Sequence, residues 1–203
     1  MHFPEFYSDI KKIQLIDPLS EVLGSAENGE LLFSFSDMVK LAGHGCPTVA
    51  GAYLMTYHGL KVLYSDSTPV RGNISVYLPN NKAQSTVGVV ANVVSAIVGA
   101  SDEGGFKGLG GKFSRNHSLF FGEDFSHSLK LERKDTQDFV FVDYDPSIVP
   151  SDPKVGELLG KILEESATQE ERTLFKILWN QRMKKILIDE FDNPKLIKLT
   201  KAN

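Results

Sequence analysis

The only cysteine of the chain, Cys46, follows a histidine by two residues in Gly43-His44-Gly45-Cys46-Pro47. Imidazole and thiolate form a borderline-soft donor pair suited to zinc, nickel or iron, and a thiolate is also a nucleophile. A free thiol ionises at about pH 8.5, and a helix N-terminus favours the anion through its unpaired N–H groups and its dipole. Pro47 is a residue type favoured at the first position of a helix, so Cys46 is expected at the cap. Two donors supply half of a tetrahedral metal set. The same residues admit a structural reading, since a lone cysteine is often a small buried hydrophobe and a lone histidine a hydrogen-bonded scaffold residue. Glycines on both sides of His44 and the helix start behind Cys46 favour the functional reading.

The elements that must position this pair can be read from periodicity and punctuation. Residues 13–16 and 30–35 are strand candidates, the second introduced by Asn28-Gly29. Ser36-Asp37 caps a short helix over 38–42 that stops at Gly43, and 48–63 reads as a longer helix. Ile74, Val76 and Leu78 alternate in a strand over 73–78 that Pro79-Asn80-Asn81 ends. The valine-rich stretch 85–98 is long enough for a buried helix, with Ser85 as its cap and Val94, Ile97 and Val98 on its inner face. Six glycines within 99–111 preclude regular structure there and predict a loop. Strand candidates at 118–121, 128–132 and 138–143 predict an antiparallel meander. The order helix, strand, helix, three strands implies an α+β fold with one mixed sheet. After Pro146, Pro150 and Pro153, two helices are expected, one from Asp152 to about residue 165 and one capped by Thr168-Gln169-Glu170-Glu171 and running to about 190. The second carries Leu174, Ile177, Leu178, Met183, Ile186 and Leu187 near helical spacing. The expected organisation is a core over 1–150, with an N-terminal extension 1–35, and a helical appendage over 151–203. The tail after Asn193 suggests no function.

Composition bounds the function classes. The 203 residues are 41% hydrophobic and 24% charged, with a formal net charge of −4, which fits a globular chain with a sizeable core and gives no broad basic field for nucleic acid. No apolar run approaches the roughly 20 residues a membrane helix needs. The start, Met1-His2-Phe3-Pro4-Glu5-Phe6, lacks the pattern of a secretory signal, so a cytoplasmic location is expected. One cysteine allows neither an intrachain disulfide nor a cysteine-only zinc site. Two phosphate motifs fail: Gly111-Lys112 is followed by Phe113 where a P-loop needs Ser or Thr, and Gly108-x-Gly110 leads to Phe113 in place of a third glycine.

Gly43-His44-Gly45-Cys46-Pro47, followed by Gly51-Ala52-Tyr53, resembles the Gly-His-x-Cys-Pro signature of the E-subunit family of formylmethanofuran dehydrogenase. The resemblance covers roughly residues 36–145. It implies an α+β core in which His44 and Cys46 lie at a metal-containing pocket, and an intertwined homodimer. Two positions depart from the family pattern: Asn92 stands where relatives carry an aspartate, and Ala100 where they carry a cysteine. The cysteine-rich zinc finger that ends some relatives has no counterpart here. Further donors must then come from elsewhere, and His117, which follows the glycine loop, is the candidate third ligand; the alternative is an exposed loop histidine. His58, His127 and His2 rank below it. The glycine loop is read as a lid or rim over the His44/Cys46 pocket, or as an ordinary flexible loop.

Three classes of function follow. A metal on His44 and Cys46, zinc first with nickel or iron as alternatives, could serve a small-molecule enzyme or redox protein. It could equally mark a non-catalytic metal-binding or assembly protein within a larger complex. Without metal, Cys46 would be a catalytic nucleophile with His44 or His117 as base. Expected partners are a second copy of the chain and an unidentified small molecule, with no nucleic acid and no membrane.

Overall fold

A computed structural model describes residues 2–201. After a 3-10 turn over Glu5–Asp9 comes an antiparallel pair, β1 (Ile13–Ile16) and β2 (Glu30–Phe33), joined through the short helix α1 (Pro18–Val22). Then come α2 (Phe35–Ala42), α3 (Pro47–Tyr64), β3 (Ile74–Leu78) and α4 (Val87–Val98). The strands β4 (Leu119–Phe121), β5 (Leu129–Arg133) and β6 (Phe139–Tyr144) follow. Helices α5 (Lys154–Leu163) and α6 (Gln169–Lys184) lead to a final strand, β7 (Ile197–Lys201). The fold is α+β, with a mixed five-stranded sheet beside the two-stranded one.

Local chemistry sets the helix ends. Ser34, rather than the expected Ser36, caps α2 in a reciprocal box with Asp37, and Gly43 closes the helix at φ +77°. The expectation failed because Ser34 and Asp37 have the three-residue spacing a box requires, which pulls Phe35 into the first turn. Cys46 caps α3 with Pro47 at the first helical position, as the spacing predicts. At the start of α4, Ser85 lies at φ +50° and Thr86 takes the cap position without a side-chain bond, so the helix begins one residue later than a Ser85 cap would place it. Thr168 and Glu171 form the predicted box on α6, which ends in a π-helical turn over Lys185–Asp189.

Sheet order is β4-β3-β5-β6-β7. The expected meander is therefore corrected: β5 and β6 pair antiparallel, but β4 pairs parallel with β3, on the far side from β5. A parallel neighbour needs a crossover, and α4 provides it. The tail also returns to the core, because β7 pairs antiparallel with β6. Its sequence, Ile-Lys-Leu-Thr-Lys, buries only Ile197, the pattern of an edge strand protected by lysines.

The core forms where α3 crosses the sheet. Leu129, Leu131, Val140 and Val142 are fully buried, with Leu129 opposite Val142 and Leu131 opposite Val140. Gly59 lets α3 approach closely, since a Cβ there would lie 2.7 Å from Leu131 Cδ1. On α4 the predicted inner residues Val94, Ile97 and Val98 are buried. The N-terminal extension is tied down by Tyr53, whose hydroxyl lies 2.8 Å from the Lys11 carbonyl and 3.0 Å from that of Phe33. On the long C-terminal helix the expected apolar set divides: Met183, with Ile186 and Leu187 of the π-helical turn, is buried, while Leu174 and Ile177 are exposed. Among the described residues no helix is long and apolar enough to cross a membrane.

Candidate functional site

His44 lies in the turn between α2 and α3, exposed, and Cys46 is half-buried against the core. The His44 Nδ1 lies 3.0 Å from the Ala42 carbonyl oxygen. A carbonyl can only accept, so Nδ1 carries the proton and the neutral ring keeps its lone pair on Nε2. This is the orientation a metal-ligating histidine takes when a backbone carbonyl fixes its tautomer. The turn is held from two further sides. Trp179 on α6 donates its indole N–H to the Gly45 carbonyl at 2.9 Å, and the Tyr7 hydroxyl packs so near Gly45 that a Cβ would sit 2.5 Å from it. The Cys46 side chain makes no capping bond.

The other histidines go elsewhere. His117 is exposed at φ +50°, and its backbone N–H donates to the Asp102 carbonyl. Among the described residues no three of His, Cys, Asp and Glu converge as a metal site, so His117 does not join His44 and Cys46 within one chain. His58 is structural: Nε2 lies 2.8 Å from the Phe191 carbonyl, and the ring packs on Phe191. His2 is exposed.

His127, which ranked low by sequence, proves better placed. Its Nδ1 lies 2.8 Å from Asp143 Oδ2, while Asp143 Oδ1 accepts the Ser128 N–H at 2.8 Å. The ring stacks on Phe141 with centroids 4.4 Å apart. Both residues line a cavity of about 690 Å³. A carboxylate that orients an imidazole through Nδ1 leaves Nε2 as the working nitrogen, the arrangement of a general acid–base pair. The pair was unreadable in sequence because it depends on register: Leu129 opposite Val142 brings residue 143 beside the entry to β5.

Neither His44 nor Cys46 lines this cavity, although Thr48, two residues after the cysteine, does. Thr48, in the first turn of α3, and Ser85, Thr86 and Val87 at the start of α4 line it, so two helix N-termini bring positive potential to it. Glu123 and Asp124 bring negative charge to it as well. Tyr144 lies between the two features. Its ring packs over Gly51, leaving no room for a Cβ there, and its buried hydroxyl has no hydrogen-bond partner among the described residues. Burial raises its pKa most; Arg182 opposes this, and the charges of Cys46 and Asp145 add to the rise. A polar molecule with hydrogen-bonding groups at both ends suits such a chamber. The glycine loop does not line it: the segment directly after that loop, with Lys112 and Arg115, borders a different cavity.

No family model and no curated protein matches the chain.

Proposed function

We propose that this chain is a metal-binding protein of the formylmethanofuran dehydrogenase E-subunit type, in which His44 and Cys46 hold a divalent transition metal, zinc first, beside a chamber for a small polar molecule. One observation carries the reading. The His44 Nδ1 proton is committed to a backbone carbonyl, which leaves Nε2 free two residues before a thiol at the N-terminus of an 18-residue helix. The metal would supply Lewis acidity to a bound group. The chain's own residues orient and protonate: His127, held by Asp143, moves a proton at Nε2, and the starts of α3 and α4 attract an anionic end of the ligand. That chamber with its oriented imidazole favours a substrate-handling role over a purely structural one.

Two donors make a weak site, and the third comes from a second copy of the chain. Leu159 and Leu163 on α5 and Leu174 and Ile177 on α6 are exposed apolar residues on the two packed C-terminal helices, and α6 also carries Trp179, which anchors the Gly45 carbonyl. A homodimer over this pair would bury roughly 1,200 to 2,000 Å² and bring a partner to the helix that braces the His44 turn. Light scattering at tens of micromolar should give twice the chain mass; a monomeric mass would remove the source of the third ligand. Zinc titrated into the protein should bind with an affinity that falls as pH drops, because protons compete for the imidazole and the thiolate. Failure to load zinc or nickel at neutral pH would end the metal reading and leave thiol chemistry at Cys46.

A further inference from the structure

We propose that the second cavity, of about 350 Å³ and walled by Arg71, Arg115 and Lys112, is a binding site for a phosphate-type dianion, independent of the chemistry at His44 and Cys46. The charges around it are unbalanced. Arg71 Nη1 contacts Asp17 Oδ2 at 2.9 Å and Arg115 Nη2 contacts Asp17 Oδ1 at 2.6 Å, so one carboxylate serves two guanidinium groups. Lys134 lies behind them, its ammonium 3.0 Å from the Gly72 carbonyl and 2.6 Å from Ser118 Oγ. Arg71 and Arg115 thus share one anion, and Lys134, bonded only to neutral oxygens among the described residues, adds a third positive charge. Asp17 and Arg115 are buried. Uncompensated charge in such a place is expensive and normally calls for a counter-ion.

The distribution of hydrogen bonds tells which cation is left in want. Arg71 is satisfied, since it also donates to the Ala96 and Ile97 carbonyls in the last turn of α4, the negative end of that helix. Arg115 has five N–H donors and makes one side-chain hydrogen bond among the described residues, to Asp17. It is nevertheless held in place. A Cβ at Gly72 would overlap the guanidinium, and one at Gly99 would sit 3.1 Å from Arg115 Nη1 and 3.0 Å from Arg71 Cγ. Both glycines also have positive φ, so other residue types would be strained there. Two glycines at such close approach make a cradle that fixes a fork of donors at a cavity wall. The cavity lining adds Lys112, Asn73 and Ser114 and contains no carboxylate.

Protonation follows the same pattern. The Arg115 pKa is lowered, chiefly by burial, with Asp17 opposing and Arg71 adding to the fall; that of Lys134 is lowered by burial and then by Arg115. Burial, the larger cause in both, disfavours the charged forms, and a phosphate group with about two negative charges beside them would favour those forms. A planar fork with spare donors also matches phosphate oxygens in geometry.

The test uses the full-length chain and inorganic phosphate, with acetate and matched chloride as controls. Calorimetry should show saturable phosphate binding and a rise in Tm that acetate and chloride do not reproduce. Lys112 is exposed, so Lys112→Glu should give a phosphate-free Tm no lower than that of the wild type while weakening phosphate binding by about tenfold or more. Arg115→Gln, where it folds, should abolish binding. Absence of saturable binding, equal response to acetate, or phosphate affinity unchanged in Lys112→Glu would overturn the proposal.

Discussion

A histidine does different work according to which nitrogen is occupied and by what. His44 donates Nδ1–H to a carbonyl, His58 gives Nε2–H to one, and His127 meets a carboxylate at Nδ1. Only His127 combines an oriented ring with a chamber, so its tautomer is the sharpest prediction at this scale. In the wild-type protein the neutral ring should be the Nδ1–H form, readable from side-chain ¹⁵N shifts. Asp143→Ala should release it to a mixture of both tautomers; an unchanged spectrum would show that Asp143 does not orient the ring. The His44/Cys46 pair can be singled out in sequence as a candidate because its signal is local: glycine, histidine, glycine, cysteine and proline are adjacent, and proline after cysteine marks a helix start. The 127/143 pair is separated by sixteen positions and meets only through strand register, which no local pattern states. The same limit applies to His117, whose contact with residue 102 is a backbone bond.

At the scale of elements, α3 is the member on which the candidate site is built. Its first turn positions Cys46 and Thr48, its Gly51 receives the Tyr144 ring, and its Gly59 admits Leu131. Gly51→Ala should therefore destabilise the protein by about 1–3 kcal/mol in chemical denaturation, because overpacking against the ring outweighs the gain in helix propensity. It should also displace Tyr144 towards the chamber, changing the tyrosine ultraviolet signal. A stability equal to or above wild type would show that the ring yields freely. The long, strongly apolar helices α3 and α4 were legible from length and composition, and the start of α3 from Pro47 after Cys46, whereas the cap of α4, the parallel placement of β4 and the return of β7 were not. Alternation within 139–144 says nothing about which strand lies alongside, and β7 buries too little to declare itself.

For the molecule as a whole, Asp17 joins distant parts: it caps α1, and through Arg71 and Arg115 it binds the N-terminal segment to the end of α4 and the start of β4. Burial alone would raise its pKa, but the Arg71 hydrogen bond and the charge of Arg115 prevail and hold the carboxyl below its ordinary value. A carboxyl depressed in the folded state stabilises fully above its unfolded pKa and loses that contribution as pH falls through the folded one. Tm should accordingly drop below about pH 4 in the wild type. Asp17→Asn should be destabilised at neutral pH by about 3–5 kcal/mol, since it leaves two arginines without their shared anion, and its Tm should vary less with acid pH. Parallel acid profiles for the two proteins would show that Asp17 does not set the acid response.

The central claim is that His44 and Cys46 hold a transition metal, and an anomalous-scattering map of zinc-loaded crystals tests it most directly. A peak is expected bonded to His44 Nε2 and Cys46 Sγ, about 2.0–2.1 Å and 2.3 Å away, with a further donor from a second copy of the chain. The peak should vanish in Cys46→Ala crystals of the same fold. A zinc peak that leaves Cys46 untouched, or none at the turn between α2 and α3, would contradict the claim.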